Sequence, residues 1–229
     1  CCLFLKSTVP QLKTLEKTSN VFSLIKQKDF IICFFCIFLG GASECTMSQW
    51  SSSYIEQTLN IPKVWGDIFG VAMFSVMLGL GRTLYSKYGK NIYKMLAVSA
   101  MGATFCYIVA TISSVPLIGL FSCAMTGLCT AMLWPGSLLV AIDKFPSAGI
   151  AIFALMAAGG DLGGAIGPQL VGTVADIAMT KDHIHNLSTA FSMTTEQLAM
   201  KIGLLSAIAF PLLATILYIK NYIKRKQSL

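Results

Sequence analysis

Charge is what this sequence has least of. Lys, Arg, Asp and Glu make up 12% of its 229 residues, roughly half of the ~25% usual in a soluble chain. Histidine is rarer still, with only His183 and His185 in one polar stretch beside Asp182. The regular alternation of polar and apolar residues is missing too, because the apolar residues run on in long stretches. Together these absences exclude an ordinary cytosolic enzyme and a disordered tail. A secreted disulfide scaffold is also excluded, since most of the eight cysteines lie inside apolar stretches. Cys33 and Cys36 form a C-x-x-C within Phe30–Leu39, with no second pair and no nearby histidine. They read as buried thiols serving as small apolar side chains. No metal and no cofactor is expected. The net charge of +7 does not point to nucleic acid, because the basic residues fall between apolar spans.

What the chain does have is hydrophobic length. Its residues are 55% hydrophobic and its mean hydropathy is +0.71. Spans of about 20 apolar residues cross a bilayer with every backbone group satisfied inside a helix. Six such segments are predicted: Phe30–Trp50, Val64–Leu84, Met95–Ile112, Leu117–Ile142, Gly149–Val174 and Ile202–Ile219. Pro62, Pro116 and Pro146 mark boundaries, since proline disfavours helix at the residue before it. Residues 1–28 differ: Cys1–Leu5 reads as the end of a preceding helix and Lys6–Lys28 as a polar loop. The chain begins at Cys1 without a signal-peptide pattern and reads as a fragment. Residues 29–229 are expected to form the six-helix bundle.

The basic residues give an orientation. Fourteen fall on one side: Lys6, Lys13, Lys17, Lys26, Lys28, Arg82, Lys87, Lys90, Lys94, Lys144, Lys220, Lys224, Arg225 and Lys226. Three, Lys63, Lys181 and Lys201, fall on the other. The positive-inside rule then predicts cytoplasmic termini. Three spans, a short turn at 113–116 and three more spans give two odd-numbered units, which must be inverted relative to each other. The expected fold class is therefore all-α, a multi-pass membrane protein of six helices in a 3+3 inverted repeat.

Two acidic residues sit inside spans, where an acid costs about 2.5–3.5 kcal/mol on insertion scales. Asp161 lies near the middle of the fifth segment and Glu44 in the far half of the first. They are on different helices and, by position along the segments, at different depths. Glu44, Ser48 and Ser51 follow i, i+4, i+7 spacing and share one helix face, which reads as cavity-lining. Residues 159–168 hold five glycines and end in Pro168. Gly160, Gly163, Gly164 and Gly167 read as helix-packing positions, since small residues let membrane helices approach closely. Trp134-Pro135-Gly136 interrupts the fourth segment, either as a structural kink or with the Trp134 ring in a solute path. His183 and His185 read as part of a solvated loop.

Between the second and third segments, the stretch Gly81-Arg82-Thr83-Leu84-Tyr85-Ser86-Lys87-Tyr88-Gly89-Lys90 resembles the cytoplasmic loop signature of the major facilitator superfamily. The aspartate of that signature is Ser86 here. The resemblance implies a gating loop carried by Gly81, Arg82, Lys87, Gly89 and Lys90. Gly41-Ala42-Ser43-Glu44 with Trp50 is similar to the seventh helix of the fucose–galactose–glucose:proton symporter branch. Gly160-Asp161-Leu162-Gly163 with Gly167-Pro168 looks like the eleventh helix of related bacterial transporters. The resemblance implies the carboxy-terminal half of a twelve-helix transporter, whose partners are the lipid bilayer, a small solute and an amino-terminal half. Alternating access in a plasma membrane is expected, with a sugar or other small organic molecule as solute, the sugar being implied only by the short Gly41–Glu44 stretch. Proton coupling is expected from the two acids inside apolar spans. Glu44 and Asp161 would carry the proton, and Glu44, Ser48, Ser51, Trp134 and Asp161 would face the solute. A non-transporting scaffold or inactive half-transporter is the alternative. A membrane enzyme is disfavoured, because neither the two histidines nor the two separated carboxyls make a catalytic set.

Overall fold

The computed structural model describes residues 24–113, 115–148 and 150–227. The predicted end of a preceding helix, and all but the last residues of the polar loop after it, lie outside the described residues. Within them, all regular structure is helical. Six helices are long and apolar enough to cross a membrane: α1 (Lys28–Leu59), α2 (Lys63–Tyr88), α3 (Ile92–Ile112), α4 (Pro116–Lys144), α5 (Ile150–Met179) and α7 (Thr195–Gln227). A short α6 (Asp182–Ala190) joins α5 to α7. The stretch carrying His183 and His185 is thus helical, a correction to the expected loop. Its charged face hid an amphipathic turn that buries Ser188.

The helix ends follow local chemistry. Asn60 ends α1 with a left-handed backbone, φ 54°, a conformation asparagine tolerates. Pro116 occupies the first turn of α4, where its missing N–H costs nothing. Thr194 and Gln197 form a reciprocal capping box at the start of α7, satisfying two otherwise orphaned donors. The interruptions inside helices are equally local. α4 loosens at Ala131–Met132 and α7 at Ala207–Ile208, four residues before Pro135 and Pro211. Proline removes the N–H that would bond the carbonyl four residues back, and its ring crowds that carbonyl. α2 has a π-helical stretch over Gly66–Ala72.

Helices of this length alternate direction, so Lys28, Gly89, Lys144 and Lys224 gather at one end, here the basic end. Asp29 bridges there to Lys224 at 3.3 Å and to Lys144 at 4.0 Å. At the far end Gln197 bonds Asn60, and Lys201 donates to the Ser113 carbonyl. α1 is the central helix, packed on α2, α4, α5 and α7. Its seam with α5 is backbone against backbone. A Cβ on Gly163 would overlap the Phe38 carbonyl, and one on Gly41 the Gly160 carbonyl. α2 is the least covered helix: 22% of its apolar window is buried inside the bundle, against 61% for α1.

One motif falls in a different place from its sequence reading. α2 stays helical through Tyr88, and only Gly89–Asn91 links it to α3. Gly81 and Arg82, inside the expected second span, and Lys87 beyond it therefore all belong to one helix, and only Gly89 and Lys90 of the expected gating loop lie in the connection. Gly81 is buried where α2 crosses α4, its absent Cβ leaving room for Ala131 and the Leu128 carbonyl. The physical reason is that Thr83–Tyr88 continues the apolar spacing of α2, so nothing stops the helix before Gly89.

Candidate solute cavity

Glu44 projects from α1 one turn past Gly41, the glycine that seats that helix on Gly160 of α5. Its Oε1 accepts from Arg82 Nη2 at 3.2 Å, with the Glu44 side chain 19% exposed and that of Arg82 47%. Its Oε2 is buried and has no hydrogen-bond partner among the described residues. The same arginine reaches a second helix, donating from Nε to the Ala131 carbonyl of α4 at 3.2 Å. One turn further along α4, half-buried Trp134 lies against Gly160 of α5, where a Cβ would overlap its indole nitrogen. The next residue, Asp161, is exposed and makes no ion pair among the described residues.

These groups share one space. Glu44, Arg82, Trp134 and Asp161, brought by α1, α2, α4 and α5, line a cavity of about 320 Å³ floored by Gly41, Gly160 and Gly164. The two acids, expected at different depths, line the same cavity. Helix crossing brings together positions that counting along each segment separates. A second, more polar groove of about 360 Å³ adjoins it at Gly164, lined by Gln49, Trp50, Ser53 and Gln169. There Trp50 donates from Nε1 to the Pro168 carbonyl at 2.9 Å.

The face expected of α1 is divided by its neighbours. Glu44 lines the cavity, Ser48 one turn on is half-buried and is not among the residues lining it, and Ser51 is fully buried against Gly70 of α2. Sequence reasoning did not single out Gln169, and it gave Arg82 a gating-loop role through the family resemblance. A lone arginine three residues inside an apolar run is the signal that pointed to a partner acid within the membrane. Chemically, the cavity offers one paired acid, one unpaired acid, arginine N–H donors and an indole ring. That set suits a small polar organic solute.

Comparison with known proteins fixes the family. The model of the Major Facilitator Superfamily matches residues 2–168. The chain belongs to the major facilitator superfamily. Among solved structures it is similar to a bacterial homolog of the human lysosomal transporter Spinster, in an inward-facing and unoccupied conformation. The TM-score is 0.63 at 16% identity, covering 95% of this chain and 54% of that one. At that identity the likeness is one of fold. The chain spans about half the length of that transporter. No curated protein matches the chain.

Proposed function

We propose that the chain is the carboxy-terminal half, helices seven to twelve, of a secondary transporter that moves a small organic solute by alternating access. Superfamily membership supports secondary transport rather than catalysis. The observation that carries the reading is the cavity itself: four helices bring Glu44, Arg82, Trp134 and Asp161 to one space between membrane-length helices. It opens beside α2 and α5, whose apolar residues Val76, Leu80, Leu84, Phe153, Leu162 and Ile166 are exposed. An amino-terminal half joined through residues 1–28 would cover that face and complete the site. The excess of lysine and arginine at the basic end supports cytoplasmic termini, and a plasma membrane is part of the same proposal.

Glu44 and Asp161 are the proton-coupling groups in this reading. A carboxyl facing a half-enclosed cavity takes up or gives up a proton as water and solute come and go. Indole faces and carboxylates also suit a sugar, which fits the short Gly41–Glu44 resemblance. The test is solute-driven proton entry into proteoliposomes holding the full-length protein and a trapped pH dye, with a panel of monosaccharides as probes. Glu44→Gln and Asp161→Asn are expected to abolish proton entry while leaving sugar exchange across the membrane. If both variants keep gradient-driven uptake at the parent rate, the coupling assignment is wrong.

A further inference from the structure

Arg82 makes two bonds that belong to different helices. Nη2 holds Glu44 of α1 at 3.2 Å, and Nε holds the Ala131 carbonyl of α4 at 3.2 Å. Ala131 is four residues before Pro135, so its carbonyl is the one that Pro135 has no N–H to bond. α4 loosens at that residue. The guanidinium therefore supplies from the side what the proline withholds along the helix. A buried carbonyl without its donor costs free energy comparable to a lost hydrogen bond, so the donor has an energetic role.

We infer that Arg82 is a positioning residue that ties the charge on Glu44 to the shape of α4 at its proline break. This rests on the reading of Glu44 as a proton-coupling group. An ionised Glu44 fixes the fork, and the planar guanidinium then presents Nε to Ala131 in a set direction. A neutral Glu44 releases the fork, and the break at Ala131–Met132 loses its lateral donor. Trp134 lies one turn beyond that break and seats on Gly160, beside Asp161. Loosening of the break therefore moves the aromatic wall of the cavity. The charged and titratable groups around Glu44 are few: Arg82 from α2, Asp161 from α5, which lines the same cavity, and Cys45 on α1 itself.

The experiment is amide hydrogen exchange, read by mass spectrometry on the full-length protein in lipid nanodiscs. Rates are corrected for the intrinsic pH dependence of exchange. Acidification from about pH 7 to about pH 3, which crosses the ordinary glutamate value of about 4.3, is expected to speed exchange across residues 131–137 by about threefold or more. Glu44→Gln holds α4 in the fast state at both pH values. Arg82→Lys keeps a charge beside Glu44 but loses the fork, and it too abolishes the pH response. Pro135→Ala returns the missing N–H, so Pro135→Ala in the Arg82→Gln background restores slow exchange.

A pH response that survives unchanged in Arg82→Lys and Arg82→Gln overturns the inference. So does a failure of Pro135→Ala to restore protection. If Arg82→Gln does not fold, the pair Glu44→Gln and Pro135→Ala carries the same test. Loss of proton-driven transport with this exchange pattern intact would sink the transport reading alone.

Discussion

The indole N–H of Trp50 donates to the carbonyl of Pro168 across 2.9 Å, fastening α1 to α5 along the floor of the polar groove. The ring also lies against Gly172, so the bond and the ring contact act at one place. Trp50→Phe keeps the aromatic contact and removes the bond. Interhelical hydrogen bonds in membranes average about 0.6 kcal/mol, so a small fall in melting temperature is expected in detergent or nanodiscs. Trp50→Ala, which also removes the ring, should fall further.

The α1–α5 seam gives a sharper contrast. Gly163→Ala places a methyl group into the Phe38 backbone, and backbone cannot rotate out of the way. Overpacking of this kind costs about 1–3 kcal/mol. Gly79→Ala in α2 meets nothing within 4 Å and should leave stability unchanged or raise it slightly. Thermal unfolding of the two variants side by side checks the pair.

Trp134 should separate ring chemistry from packing. Trp134→Phe retains an aromatic face in the cavity, and solute affinity should stay within about threefold of the parent. Trp134→Ala removes it and should weaken affinity by about tenfold, the scale of an aromatic contact of ~1.5 kcal/mol. Equilibrium binding of the transported solute to the full-length protein reads both. Parent-like affinity in both variants would remove Trp134 from the solute path.

At the basic end, the Tyr218 hydroxyl donates to the Cys36 carbonyl at 3.0 Å and lies 2.7 Å from the Ser137 hydroxyl. It joins α7 to α1 and α4 in a fully enclosed setting. Tyr218→Phe is expected to cost about 1 kcal/mol without altering transport. By contrast Asp29→Asn, which removes the exposed partner of Lys144 and Lys224, should cost under about 1 kcal/mol and less in high salt. Melting temperatures at two salt concentrations distinguish them.

The six spans were legible because each is a long apolar run, and composition alone excludes most alternatives. Their ends were less so. The apolar run of α1 stops at Trp50, yet the helix continues to Leu59 because Ser51, Ser52, Tyr54 and Ile55 are buried against neighbours. Partner helices made those positions interior, and a linear reading has no partners. The Trp134-Pro135-Gly136 interruption was visible, but the helix loosens a turn earlier, since proline acts on the carbonyl four residues back. The Glu44–Arg82 pair needed the crossing of α1 and α2 in register, which no spacing along one helix encodes. Asp161 and Trp134 were each visible as costly residues, and their juxtaposition through Gly160 was not.

Gly41 on α1 is pressed against the Gly160 carbonyl, and Gly163 on α5 against the Phe38 carbonyl. Two main chains in such contact leave no side chain between them to change rotamer. The main-chain segments that carry Glu44 and Asp161, a few residues from those contacts, are therefore held at a spacing that no side chain adjusts. The width between the two acid-bearing backbones is thus set by glycine against carbonyl, and a side-chain substitution elsewhere in the bundle leaves that width as it is.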